Sequence, residues 1–152
     1  AGTALALIGL FNILGTYAAG VLGQHFAKNL LLSFNYSMRG VFISLFIFLP
    51  LSPMSVYLFA AAMGLLWLST VPVTSAIVAQ MFGVAHFSML TGFVFMSHQL
   101  GSYLGVWLGG WVFDRTGSYD QVWYLTIALS VFAALINLPV REQGIQRIPV
   151  PA

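Results

Sequence analysis

The sequence predicts an all-α fold, a polytopic membrane helix bundle. Three observations carry that expectation. The chain of 152 residues is 60% hydrophobic and 5% charged, where a soluble domain carries about 25% charged residues, so its apolar surface has no water-compatible fold to hide in. Its apolar residues fall into five stretches of the length that crosses a bilayer, about 20 residues at about 1.5 Å rise each. Runs such as VFISLFIFL (residues 41–49) do not alternate apolar with polar, which excludes the strands of a membrane β-barrel, the other architecture that satisfies its backbone in lipid.

The spans follow in order. The first covers residues 3–23. Hydrophobicity begins at once, with no basic region ahead of it and no initiator Met. The start therefore reads as a cut inside a longer protein rather than as a signal peptide. Gln24, His25, Lys28 and Asn29 form the polar exit. The second span covers 30–49. Pro50 to Pro53 is a turn, with Ser52 placed as N-cap and Pro53 at the first helical position of the third span, which covers 54–81. Residues 82–87 are a short connector around Gly83 and His86. The fourth span covers 88–113 and the fifth 120–138, ending at Pro139. Residues 1–140 thus form the bundle and 141–152 a tail. Short connectors make neighbouring helices antiparallel.

Lys28, Arg141 and Arg147 lie on one side of the bundle, and on the other only Arg115, flanked by Asp114 and Asp120. The excess of basic residues places the Lys28 side and the tail in the cytoplasm. Trp111, Tyr119, Trp123 and Tyr124 form an aromatic belt at the opposite interface. Five spans put the two ends on opposite sides, which suits a fragment lacking at least one helix.

Polar residues inside the spans are the candidates for function. Arg39 lies mid-span, where a guanidinium costs at least about 2.5 kcal/mol. It is either a counter-charge for an anionic substrate or for a proton-coupled carboxylate, or a structural group bonded to helix carbonyls, Asn35 or Tyr36. His98 lies at similar depth beside Gln99, with Ser102 one turn on. An imidazole there can take and release protons, line a solute path, or simply pack. Pro72 removes a helical hydrogen bond and pushes away the Leu68 carbonyl. Ser69, Thr70 and Thr74 stand near to satisfy the freed groups, as a gate or as an inert kink. Asn12 and Thr16 share a face with Gly20, suited to a cavity wall or to interhelical hydrogen bonding. Trp67 is a pocket wall or packing bulk. Ser97, Gly101, Gly105 and Gly109 recur every fourth residue, a ladder of small residues on one helix face that reads as a close-packing seam. Asp114 to Asp120 stops the helix, and Ser118 with Gln121 resembles a capping box for the last one.

Several classes are excluded. There is no Gly-x-Ser-x-Gly elbow, His-Glu-x-x-His or phosphate loop, so no enzyme and no cofactor are expected. Cysteine is absent, which removes disulfides and thiolate metal sites. The three acids lie outside the spans, so neither a metal cluster nor a paired carboxylate can form inside the membrane. Five scattered basic residues make no nucleic-acid footprint.

Two stretches resemble a known family. GVLGQHFAKNLL (20–31) resembles the loop motif of major facilitator superfamily transporters, G-x-L-x-D-R-x-G-R-K-x-x-L. Gly20, Leu22 and Lys28 fit, while Gln24 stands at the acidic position and Ala27 at the glycine, a departure typical of the copy in the second half of such proteins. SHQLGSYLGVWLGGWVFDRTGSYDQVW (97–123) resembles the eleventh helix and following loop of bacterial members related to monocarboxylate and oxalate–formate transporters. The resemblance implies that the five spans are helices eight to twelve of a twelve-helix transporter, lacking the N-terminal half and the seventh helix. It implies secondary active transport of a small organic anion by alternating access, with proton coupling or exchange, in a bacterial inner membrane. In that family the eighth, tenth and eleventh helices line the cavity, which favours Asn12, Thr16, Trp67, Thr70, His98 and Gln99 as substrate contacts. Arg39, on the ninth, becomes a charge partner beside His98 rather than a primary ligand. Pro72 and the glycine ladder at Gly101, Gly105 and Gly109 become gating and packing elements. The partners implied are a small solute, protons, the lipid bilayer and the missing half of the chain. The alternative class is a non-transporting membrane assembly or receptor-like module.

Overall fold

The computed structural model describes residues 2–143; the expected tail from residue 144 on, Arg147 included, lies outside the described residues. Six helices follow one another: α1 (Gly2–His25), α2 (Lys28–Phe48), α3 (Pro53–Trp67), α4 (Thr70–Phe82), α5 (Val84–Thr116) and α6 (Asp120–Asn137). No strand occurs among the described residues. The fold is the expected all-α bundle, with the third span divided into α3 and α4. Among the described residues, four segments are long and apolar enough to cross a membrane: α1, α2, residues Pro53–Phe82 and α6. At 33 residues α5 is the longest helix, yet it does not meet the same criterion of apolarity. Its threonine, serine, histidine and glycine residues are the reason, and one face of them borders a cavity described below.

The helix ends follow local chemistry. Ser52 caps α3 as expected: its hydroxyl accepts the Ser55 amide at 3.1 Å, Ser55 Oγ accepts the Ser52 amide at 2.9 Å, and Pro53 follows at the first position. Three boundaries correct the sequence reading. The connector expected at 82–87 shrinks to Gly83, whose φ of 75° turns the chain directly into α5. Asp114 to Thr116 are the last turn of α5 rather than its stop. Gly117 ends the helix in the left-handed conformation, φ 69°, its amide bonded to Phe113 O at 2.8 Å. The capping box at Ser118 and Gln121 does not form, because α6 starts with Tyr119 as N-cap. Ser118 Oγ accepts the Asp120 amide at 3.1 Å, two residues on rather than three.

Packing concentrates on two helix pairs, α1 with α3 and α2 with α6, while α4 touches α1, α2 and α5. The α1–α3 crossing is set by Gly15 and Gly64. A Cβ on Gly15 would lie 1.9 Å from Leu65 O, and one on Gly64 would lie 2.6 Å from Ile8 O. Without hydrophobic drive between helices in lipid, such backbone proximity is what holds them. At the α2–α6 contact, Ser33 Oγ donates to Ala134 O at 2.5 Å, and a Cβ on Gly40 would meet Ser130 Cβ at 3.4 Å. Leu32, Val73 and Ile77 form a buried cluster, with Ala19, Leu31, Tyr36, Met81 and Val140 against it.

One end of the bundle is tied by polar groups. Lys28 Nζ donates to Gln80 Oε1 at 2.9 Å and lies 3.6 Å from Glu142 Oε2. Gln80 Nε2 reaches Glu142 O at 2.8 Å, so α2, α4 and the segment after α6 meet there.

The glycine ladder on α5 does not pack as expected. A Cβ on Gly101, Gly105 or Gly109 would meet nothing within 4 Å. Helix α5 contacts mainly α4 and, at fewer positions, α6; Gly109 is buried and Gly101 borders the cavity, but no neighbouring backbone comes close to either. Among the described residues the glycines approached most closely by a neighbouring backbone are Gly15 and Gly64.

Candidate functional site

The site grows out of Pro72. Proline has no amide hydrogen to give the carbonyl four residues back, and the helix gives way two residues earlier, between Trp67 and Thr70. Leu68 O instead takes the Val71 amide at 3.1 Å. That tightened turn leaves the carbonyls of Leu66 and Trp67 at the C-terminus of α3 without helical partners. Side chains from the break itself supply some: Ser69 Oγ donates to Leu66 O at 2.9 Å and Thr70 Oγ1 to Trp67 O at 3.3 Å. The neighbouring helices supply the rest.

From α2, Arg39 Nη2 donates to Leu66 O at 2.5 Å and to Trp67 O at 2.7 Å. The charge is well placed, since the C-terminal end of a helix carries partial negative charge. The guanidinium carbon also stands 5.2 Å from the Tyr36 ring centroid and 5.9 Å from that of Trp67, within cation–π reach. One turn before Arg39, buried Asn35 donates through Nδ2 to Ser69 Oγ. From α1, Asn12 Oδ1 accepts the Leu68 amide at 3.3 Å. The break is thus stapled from two sides by three polar side chains, each of which makes at least one hydrogen bond there.

Beside the break lies a cavity of about 720 Å³ between α2, α4, α5 and α6. That volume falls in the usual range for small-molecule sites, about 300–1,000 Å³. Tyr36 and Arg39 come from α2, Trp67 and Leu68 from the break, and Thr70, Thr74 and Ser75 from α4. Thr91, Phe95, His98 and Ser102 come from α5. Those four α5 residues fall at intervals of four, three and four, one face of a helix. The cavity has one permanent cation, Arg39, one imidazole, His98, and a wall of hydroxyls. None of the three acids of the chain, Asp114, Asp120 and Glu142, borders it.

The sequence candidates divide. Trp67, Thr70, His98 and Arg39 are brought together on the cavity, and Gly101 borders it. Asn12, Thr16 and Gln99 do not. Asn12 serves the break, Thr16 Oγ1 bonds back to Asn12 O at 2.8 Å, and Gln99 follows His98 around the helix to another face. Pro72 causes the break without lining the cavity. Arg39, which the resemblance put on a peripheral helix, lines it. Thr91 was missed, and Asn35 was read only as a possible partner of Arg39. Both hold buried polar atoms without a partner among the described residues, Thr91 Oγ1 and Asn35 Oδ1. The signal for Thr91 was present in its spacing from His98; Asn35 lies one turn before Arg39.

A polytopic bundle with a broken helix and a mid-span cavity is the architecture of a solute transporter. The family model of the Major Facilitator Superfamily matches residues 1–149. The chain belongs to the Major Facilitator Superfamily and is an integral membrane protein of that transporter family. No curated protein and no solved structure matches it.

Proposed function

We propose that this chain forms part of a secondary active transporter that moves a small organic anion, monocarboxylate-like, by alternating access, in a bacterial inner membrane. The observation that carries the reading is the charge of the cavity: Arg39 and His98 with hydroxyls around them, and no carboxylate. In a medium of low dielectric, an unopposed cation favours an anionic occupant, and hydroxyls complete its hydrogen bonds. His98 is the group that exchanges a proton with the solute path, because an imidazole can both accept and donate a proton. The five spans take the places of helices eight to twelve, and the other half of the transporter closes the cavity.

The test is uptake by the full-length protein in proteoliposomes under an imposed pH gradient, with acetate, L-lactate and oxalate against mannitol and choline. The anions are expected to accumulate and the neutral and cationic solutes not. His98→Ala is expected to abolish uptake or change its pH dependence at unchanged protein level. Wild-type uptake and pH profile in that variant reject the role of His98, and indifference to solute charge rejects the anion reading.

A further inference from the structure

The position of Arg39 joins two features that the function treats separately. Its guanidinium lines the cavity, and its Nη2 holds the carbonyls of Leu66 and Trp67 at the broken helix. We propose that Arg39 is the coupling residue of this bundle: an anionic solute in the cavity competes with those carbonyls for the guanidinium, so that occupancy loosens the break between α3 and α4. The inference rests on the anion reading above.

The chemistry follows from the donor count. A guanidinium has five N–H donors in a rigid fork and no acceptor. Both bonds to the break are made by the single nitrogen Nη2, while Nε, buried, has no partner among the described residues. A carboxylate prefers two parallel N–H bonds from such a fork, and the side-on pair comprises Nε and Nη2; because Nε is buried, the anion reaches that pair only as the break opens. Taking that pair removes Nη2 from at least one carbonyl. The exchange favours the anion-bound arrangement, because an ionised acceptor makes a stronger bond than the neutral one it replaces, and the released carbonyls keep the hydroxyls of Ser69 and Thr70. That difference in affinity between the closed and the loosened break is what lets a ligand shift a two-state element. The break also has the means to move: Pro72 cannot restore the missing helical bond, and the α4 side is held to α2 by Asn35 and Ser69 rather than by continuous helix.

The experiment is hydrogen–deuterium exchange on the full-length protein in lipid nanodiscs, following the amides of residues 68–71 with and without acetate, L-lactate or oxalate. Binding of each anion is measured separately by calorimetry. In wild type, a bound anion is expected to speed exchange in 68–71 about fivefold or more, the order of coupling between two sites, with residues 56–62 of α3 unchanged. Arg39→Lys keeps the charge but not the fork. It is expected to bind the anion, to exchange fast at 68–71 already without it, and to respond less than about twofold. An anion that binds wild type while exchange at 68–71 stays the same or slows overturns the coupling and leaves the anion reading standing. Slow anion-free exchange in Arg39→Lys overturns the staple. Absence of binding by any of the three anions overturns the anion reading, and the coupling falls with it. The wild-type arm decides the matter even if the variant does not fold.

Discussion

A methyl group on Gly15 would stand 1.9 Å from the carbonyl oxygen of Leu65. Helices α1 and α3 therefore touch backbone to backbone at this point, with Gly64 making the reciprocal approach to Ile8. The obstruction is main chain on both sides, which cannot rotate out of the way as the end of a side chain can. Gly15→Ala and Gly64→Ala are each expected to destabilise the bundle by about 1–3 kcal/mol or more. Gly101→Ala and Gly105→Ala, which meet nothing within 4 Å, are expected to leave stability unchanged. Thermal unfolding of the four variants in one detergent compares them directly; equal loss at Gly15 and Gly101 would refute the assignment.

Glu142 caps a helix that cannot cap itself. Ala27, the N-cap of α2, has no side-chain acceptor, and Glu142 Oε1 accepts the Asn29 amide at 2.8 Å from beyond α6. A carboxylate at a helix N-terminus also opposes the dipole favourably. Glu142→Ala is expected to cost about 1 kcal/mol, the usual loss of a cap. Glu142→Gln keeps an acceptor and loses the pair with Lys28, so a smaller cost is expected, under about 1 kcal/mol and shrinking with salt. Denaturation at low and high ionic strength separates the two terms.

His98 and Gln99 are adjacent in sequence and differ in place. His98 borders the cavity and Gln99 does not. Uptake is expected to fall about tenfold or more in His98→Ala, the equivalent of about 1.4 kcal/mol, and to stay within about twofold of wild type in Gln99→Ala. Initial rates in proteoliposomes, normalised to reconstituted protein, give the ratio. The reverse order would move the solute path to another face of α5.

Thr91 carries a buried hydroxyl oxygen without a partner among the described residues, on the cavity face of α5. Thr91→Val removes the polar atom at nearly constant volume. Since an unpartnered buried group costs about 1–3 kcal/mol, the variant is expected to be as stable as wild type or more so, while solute affinity drops. Melting temperature and the half-saturation of uptake report the two effects separately; loss of stability with unchanged affinity would make Thr91 structural.

Much of the architecture was legible because the bilayer allows so few solutions. The length of each apolar run, the Ser52–Pro53 start of α3 and the site of failure around Pro72 all follow from bonds the backbone can or cannot make locally. The α5 stripe of Thr91, Phe95, His98 and Ser102 was readable too, by helical spacing alone. Helix ends were harder. Gly83 and Gly117 end helices through positive φ, a conformation every glycine permits and few adopt, so the sequence reading set a wider connector and an earlier stop.

The sequence by itself determined that this is a helical membrane bundle whose third span is weakened at Pro72, because composition, run length and proline chemistry act locally; that the span divides into α3 and α4 was shown by the structure. Which polar residues meet was decided by the tertiary structure alone. Asn12 and Arg39 carry the same local pattern as cavity residues, one polar group in an apolar helix. Only the placement of α1 and α2 against the break shows that Asn12 takes an amide there, while Arg39 holds two carbonyls and faces the cavity as well. The glycines repeat the lesson. Spacing marked Gly101, Gly105 and Gly109, but a small residue becomes a packing residue only when a neighbour approaches, and in this bundle the neighbours approach Gly15 and Gly64.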